Sequence, residues 1–301
     1  MEMIYVTIER IELPKGINGE LYFGDNLEVV RSIKTASIDL GYLDPPFFSG
    51  RDYTMKSKVD KDEVRQFEDT FKTINDYLKF LYPRLVQIRR VLKPTGTIYI
   101  HADWHAIFEI KCYIMDRIFG RNNFINHIVW CYSGGGCGTR KFAAKHDDIL
   151  SYSITDKYTF NADEVREPFA ESSSGQTVHR KGKEYQYELN ELGRIPNDWW
   201  IDIPSFRGNA SELVDYPTQK PEPLLERIIK ASSNKGDVVM DLFGGSGTTA
   251  AVCKRLGRRF ITCDKSEDAI NVIKARLLGN KSIYDKGYQP DIENAWKLND
   301  A

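Results

Sequence analysis

A parallel α/β sheet with helices on both of its faces is the fold this sequence predicts. Three observations carry that reading. Short apolar runs of strand length alternate with longer segments whose apolar residues recur at helical spacing, the pattern of a parallel sheet. One junction, Asp241-Leu242-Phe243-Gly244-Gly245-Ser246-Gly247-Thr248-Thr249, is a glycine-rich turn between a strand and a helix. Another, Leu43-Asp44-Pro45-Pro46-Phe47, closes an apolar strand on an acid and two prolines.

Taken along the chain, residues 37–43 read as a short buried strand running into Asp44. From about Asn75 to Leu92, the residues Leu78, Leu81, Leu85, Ile88, Val91 and Leu92 keep helical spacing, and Lys93-Pro94-Thr95-Gly96 stops that helix. Residues 97–101 form the next strand. A helix over about 105–119 follows, with Gly120 as its stop. Late in the chain, 238–241 is a strand, 248–256 a helix, 259–264 a strand and 266–278 a helix. The stretch 151–215 differs. It is polar, contains Ser172-Ser173-Ser174-Gly175, and has weak apolar periodicity. It reads as an insert outside the central sheet, which divides the chain into 1–150, 151–215 and 216–301.

At 301 residues and 41% hydrophobic content, the chain can bury a sizeable core as one domain carrying an insert. It has no apolar run of the roughly 18 residues that a membrane-spanning helix needs, and Met1-Glu2-Met3-Ile4-Tyr5 lacks a signal-peptide layout. Cys112, Cys131, Cys137, Cys253 and Cys263 are odd in number and form no CxxC pair. That argues against a disulfide framework and a structural zinc site. The expectations are a cytoplasmic protein with no metal and no membrane partner. A net charge of −1 means that any nucleic-acid footprint is local rather than global. Three basic clusters qualify: Arg51, Lys56 and Lys58; Arg140, Lys141 and Lys145; and Arg180, Lys181 and Lys183. Ordinary solvated charge is the alternative at each.

The glycine turn suits an adenosine-type cofactor. Glycine lets a ligand approach the main chain closely, and the helix that follows offers unpaired amide donors. Asp264, at the end of the next strand, stands where dinucleotide folds grip ribose hydroxyls. The turn lacks the GK[ST] ending of a phosphate-binding P-loop. A glycine turn needed only for packing is the alternative.

Asp44-Pro45-Pro46-Phe47 follows a strand, so it lies at the carboxyl edge of the sheet, where open α/β folds bind ligands. The prolines fix the backbone and remove two amide donors. The Asp44 carboxylate and the Pro45 carbonyl then offer two acceptors to an exocyclic NH2, and Phe47 offers a ring for a base to stack on, worth roughly 1–3 kcal/mol. The alternative is a rigid turn with a capping Asp. His101, Asp103 and His105 follow a strand and either line the same pocket or serve the core. Gly134-Gly135-Gly136-Cys137-Gly138 reads as a loop that closes on a ligand.

In this order, the motifs resemble those of the β-class S-adenosylmethionine-dependent DNA amino-methyltransferases, over about residues 21–278. The resemblance implies a Rossmann-like methyltransferase sheet with circularly permuted motif order. It implies target-base roles for Asp44, Pro45, Pro46 and Phe47. It assigns S-adenosyl-L-methionine to Asp25 in Gly24-Asp25, to Lys220 in Tyr216-Pro217-Thr218-Gln219-Lys220-Pro221, and to Asp241, Phe243, Gly245, Ser246, Gly247, Thr248 and Asp264. The stretch Asn126 to Trp130 with Lys145-His146-Asp147 is similar to the family segment before the target-recognition region, and 151–215 then corresponds to that region. Leu242, Gly244 and Phe47 depart from commoner residues without removing a required group.

The implied activity is transfer of a methyl group to the N6 amino group of an adenine flipped out of double-stranded DNA. Asp rather than Ser at position 44 favours adenine. The cytosine-N4 version, a catalytically silent DNA binder of the same fold, and a nicotinamide-dependent oxidoreductase are the alternatives. The implied setting is either a restriction–modification pair with a cognate restriction endonuclease or a solitary modifier, acting as monomer or homodimer.

Overall fold

The computed structural model describes residues 8–48, 50, 53–56, 64–67, 71–132, 139–169, 177–180, 183–186, 190–205, 212–214, 216 and 218–279. In chain order the elements are β1 (Glu9–Ile11), β2 (Gly19–Phe23), α1 (Asn26–Ser32), β3 (Ile38–Leu43), β4 (Tyr53–Lys56), β5 (Val64–Phe67), α2 (Ile74–Val91) and β6 (Leu92–Ala102). Helix α3 (Ile107–Glu109) widens into a π-helical run over Ile110–Gly120. Then come β7 (Phe124–Cys131), β8 (His146–Ser153), β9 (Thr177–Arg180), β10 (Lys183–Gln186), β11 (Trp199–Trp200), α4 (Glu222–Ser232), β12 (Val238–Asp241), α5 (Thr248–Leu256), β13 (Arg259–Asp264) and α6 (Glu267–Leu277).

Nine strands form one sheet in the order β1-β2-β13-β12-β3-β6-β8-β7-β11. The middle run β2-β13-β12-β3-β6 is parallel throughout. β8 runs antiparallel to both β6 and β7, and β1 is antiparallel to β2. Two hairpins, β4–β5 and β9–β10, stand apart from the sheet.

Side chains alternate between the two faces of each strand, and the sheet accordingly separates two cores. Ile38, Leu43, Ile98, Ile100, Met240 and Ile261 pack with Val30 of α1, Leu81, Leu85 and Ile88 of α2, and Ile107. Leu40, Tyr42, Tyr99, Val239 and Phe260 pack with Leu225 and Ile228 of α4, Val252 of α5 and Ile273 of α6. Helices α1–α3 therefore cover one face and α4–α6 the other, as the strand–helix alternation predicts. Helix α2 illustrates the local rule. Tyr77, Leu81, Leu85, Ile88 and Val91 are buried at helical spacing, and the Thr73 hydroxyl caps the first turn by accepting from the Asp76 N–H at 3.2 Å.

The insert boundaries need correction. A division at 151 cuts β8, whose Ser151–Ser153 end pairs with β6, and β11 joins the sheet beside β7. Segment 146–153 is polar in sequence yet buried, because its polar side chains are bonded internally. Asp148 Oδ1 lies 2.6 Å from His127 Nε2, and Ser151 Oγ accepts from the Asn126 N–H at 3.0 Å. Polarity there signals a buried network rather than an excursion to solvent. Nor does Lys93-Pro94-Thr95-Gly96 separate helix from strand as expected. It is the irregular first part of β6, where the pairing slips between Ile38 and Leu40 and the Lys93 ammonium bonds both carboxylate oxygens of Asp39 at 2.7 and 2.8 Å.

Candidate active site

Four of the parallel strands deliver an acid to the same edge. Asp264 ends β13 and Asp241 ends β12. Asp44 follows β3, and Asp25 follows β2 after Gly24. The connections from β3 to β6 and from β12 to β13 run in opposite directions on opposite faces. The crevice between β3 and β12 is thus the switch point at which open α/β sheets hold ligands. An open cleft of about 1330 Å³ lies there, lined by all four acids together with Pro45, Pro46, Phe47, Lys220, Phe243 and Ser246. Single-ligand pockets run to roughly 1,000 Å³, so this cleft has room for two planar ligands side by side.

On the glycine-loop side, Asp241 anchors the turn. Its carboxylate accepts from the Thr249 hydroxyl at 2.5 Å and from the Phe243 N–H at 3.0 Å. Burial outweighs those bonds and pushes its pKa up to about 7. The native state therefore holds this proton more tightly than the unfolded chain does. The stabilisation is complete below about pH 4 and lost as pH rises toward 7. Asp241→Asn keeps the neutral form, so its stability relative to wild type should rise between pH 4 and 8, by up to on the order of 4 kcal/mol. Urea unfolding across that range checks it, and a pH-independent difference would contradict the titration.

Asp264 holds the other side of the loop. It accepts from the Gly245 N–H at 2.8 Å and the Ser266 N–H at 2.9 Å, and burial raises its pKa against those bonds. Gly245 takes φ +48°, and its N–H points at Asp264. Gly247 is a correction. It does not line the cleft. With φ +73°, it starts α5, and a Cβ there would come within 2.9 Å of Ile273, so packing and cap geometry demand this glycine. Thr248 does line the cleft, and its hydroxyl donates to the Lys220 carbonyl at 3.0 Å.

On the target side, Lys220 Nζ lies 2.8 and 3.1 Å from the two oxygens of Asp44 and 4.8 Å from the centre of the Phe47 ring. The ammonium of Lys220 is thus committed to the Asp-Pro-Pro motif. Behind Phe47 sits fully buried His101, their rings 5.8 Å apart. His101 Nε2 lies 3.1 Å from Asp147 and Nδ1 lies 2.9 Å from the Tyr42 hydroxyl. Burial would raise the Asp147 pKa, but the bond from His101 and the charges of His101 and Lys220 hold it below its ordinary value. A carboxylate only accepts, so Nε2 carries the proton and, in the neutral ring, Nδ1 accepts from Tyr42. His101 is therefore a core residue that backs the site. Asp103 and His105, bonded to each other at 2.6 Å, line the cleft.

Asp25 caps α1 by accepting from the Leu27 N–H at 2.7 Å. Arg84 grips it at 2.9 and 3.2 Å. Phe80 and Phe243 lie beside them with rings 6.2 Å apart, the Arg84 guanidinium 3.8 Å over Phe80. Sequence reasoning missed Arg84 and Phe80. The signal was present in Arg84, a charged residue at the 81-84-85-88 spacing of a buried helix face. It also missed Tyr42, Trp130, Tyr132 and Asp147, which gather around the cleft from separate strands. Among the basic clusters, Lys141 and Lys145 line the cleft mouth and Arg140 is exposed beside them. Arg51, Lys58, Lys181, the Gly134–Gly138 loop and the side chains of Lys56, Arg180 and Lys183 lie outside the described residues.

A sheet of this topology with its ligand cleft at the switch point defines a class that known proteins identify. The PvuII DNA methyltransferase (cytosine-N4-specific) superposes with a TM-score of 0.63 over 94% of this chain and 96% of its own, at 17% identity. A DNA modification methylase from Thermus thermophilus, complexed with S-adenosyl-L-methionine, does so at 0.54 over 89% and 99%, at 21% identity. At those identities the likeness shows the fold, that of α/β methyltransferases. The N6/N4 DNA methylase family model matches residues 38–275, and the chain belongs to that family. The type II methyltransferase M.HpaI of Haemophilus parainfluenzae is 36% identical over 83% of this chain and 71% of its own length. M.BglII of Bacillus subtilis is 29% identical over 88% and 71%.

Proposed function

We propose that this DNA amino-methyltransferase is adenine-specific and site-specific, transferring a methyl group from S-adenosyl-L-methionine to N6 of an adenine flipped out of the duplex. One observation carries the reading. Asp44-Pro45-Pro46-Phe47 and the 241–249 loop, nearly 200 residues apart, face one cleft large enough for a nucleoside cofactor and a base. The choice of adenine rests on Asp, rather than Ser, at position 44.

The cleft fits the cofactor. Asp264 and Asp25 bring carboxylates for its hydroxyls and adenine amino group, the Phe80 and Phe243 rings form an apolar wall for its base, and Phe243 to Ser246 offer main-chain polar groups. When bound, S-adenosyl-L-methionine supplies an electrophilic methyl group on a sulfonium. The rest falls to this chain. Asp44 and the Pro45 carbonyl accept the two amino hydrogens of the target, which draws the nitrogen lone pair out of conjugation with the ring. Lys220 bonds both Asp44 oxygens and so fixes the carboxylate plane, while leaving it lone pairs for the substrate. Phe47 stacks on the base and is itself held between Lys220 and His101. Positioning and preorganised polar groups then carry the rate. We place the protein in a restriction–modification setting because both of the relatives named above are type II methyltransferases.

Mass spectrometry of nucleosides from the DNA of an expressing host tests the proposal. N6-methyladenine is the expected product. N4-methylcytosine would move the target to cytosine, and neither base would overturn the activity. Sequencing the modified positions then yields the recognition site.

A local DNA footprint is also expected. Replacing Arg140, Lys141 and Lys145 together by Ala should weaken DNA binding. It should also flatten the salt dependence by up to about 0.9 in log–log slope for each phosphate no longer neutralised. Cofactor affinity should hardly move. Titrations at several salt concentrations check this, and an unchanged slope would make those residues a solvated face.

A further inference from the structure

Phe142 is fully exposed, at 100%. A large ring left wholly in water, with no packing role in the folded chain, points to use elsewhere. Its surroundings narrow that use. It stands in the run Arg140-Lys141-Phe142-Ala143-Ala144-Lys145, and residues from Lys141 to Lys145 line the mouth of the cleft that holds Asp44 and Phe47. Arg140, Lys141 and Lys145 make no ion pair among the described residues. The run is anchored at its far end, where the Lys145 carbonyl accepts from the Tyr132 N–H at 2.9 Å, just beyond β7.

An apolar ring flanked by cations is complementary to a polyanion with an apolar interior. The DNA duplex is such a partner: phosphates line its outside, and stacked bases form its inside. Extruding a base leaves a hole in that stack, and apolar side chains that enter a stack are a known way to stabilise a deformed duplex. Trp104, the other large exposed ring in the cleft, is already committed. It stacks on His105 with ring centres 3.7 Å apart, and His105 is tied to Asp103. Phe142 carries no such commitment.

We propose that Phe142 is a wedge that enters the duplex at the cleft mouth and fills the space vacated by the target base, with Arg140, Lys141 and Lys145 on the flanking phosphates. The inference rests on the DNA-methyltransferase reading. It makes Phe142 a positioning residue. It acts on the equilibrium between stacked and flipped target, and leaves the chemistry to Asp44.

The test compares wild type, Phe142→Ala and Phe142→Trp on two duplexes containing the recognition site. In one the target base is normally paired; in the other it lies opposite an abasic position, which makes flipping easier. Phe142→Ala should slow methylation of the paired duplex by about 10- to 100-fold. On the abasic duplex the deficit should shrink to about 3-fold or less. Phe142→Trp should stay within about 3-fold of wild type on both. With 2-aminopurine at the target position, the fluorescence rise on binding should be reduced by Phe142→Ala at saturating protein, while cofactor affinity is unchanged. Full activity of Phe142→Ala on paired DNA, or an equal deficit on both duplexes, would overturn the wedge and leave the methyltransferase reading standing. A wild-type protein that transfers no methyl to any DNA would overturn both.

Discussion

Asp44→Asn is expected to slow methyl transfer into DNA by at least about 100-fold, the scale of losing one preorganised transition-state hydrogen bond. Cofactor affinity and the unfolding midpoint should stay near the wild-type values. The structure dictates the choice of Asn. Lys220 is buried, and its ammonium rests on both Asp44 oxygens. Asp44→Ala would strip that ammonium of its partner, and an uncompensated buried charge costs several kcal/mol. A dead Ala variant would then confuse misfolding with lost chemistry. Asn keeps an oxygen for Lys220 and turns one acceptor into a donor facing the amino group of the target, which inverts the interaction the reaction needs. Radiolabelled methyl incorporation under single-turnover conditions measures the loss. Near-normal turnover would remove Asp44 from the catalytic role.

Asp264→Ala is expected to weaken S-adenosyl-L-methionine binding by roughly 1.5–3 kcal/mol, the worth of hydrogen bonds to a charged group, or about 10- to 150-fold in affinity. The same carboxylate accepts from the Gly245 and Ser266 N–H groups. The variant should therefore also lose about 1–3 kcal/mol of stability, because two amides of the loop lose their acceptor. Asp264→Asn, which keeps an oxygen in place, should recover most of the stability and only part of the affinity. Calorimetry resolves the two effects. Unchanged affinity in Asp264→Ala, with only the stability lowered, would reduce Asp264 to a loop anchor.

Much of the core was legible in the sequence because periodicity and burial have the same cause. The spacing of Leu81, Leu85, Ile88 and Val91 predicts helix α2 to within a residue at each end. The runs at 238–241 and 259–264 coincide with β12 and β13. The antiparallel arm β8–β7 was not legible. Its polar residues are satisfied by partners from β6 and β7, and nothing local distinguishes a buried aspartate paired with a distant histidine from one in water. The short edge strand β11 was hidden as well, since two residues carry no period.

At the candidate site, the acid at the end of each of four strands was readable one motif at a time, because a strand that stops in a turn places its last side chain at the sheet edge. The residues that orient those acids were not. Lys220 reaches Asp44 across 176 positions of sequence and Arg84 reaches Asp25 across 59. His101 and Asp147 meet only because β6 and β8 are neighbours. By itself, the sequence determined the sheet with helices on both faces, the order of the motifs and the residue types facing the ligand, since propensity, periodicity and turn chemistry act over a few residues. Only the tertiary structure decided that Gly247 serves packing, that Lys220 pairs with Asp44, that His101 backs Phe47 and that Phe142 stands alone at the cleft mouth. Those outcomes depend on which strands lie side by side, and that is set by closing the whole core.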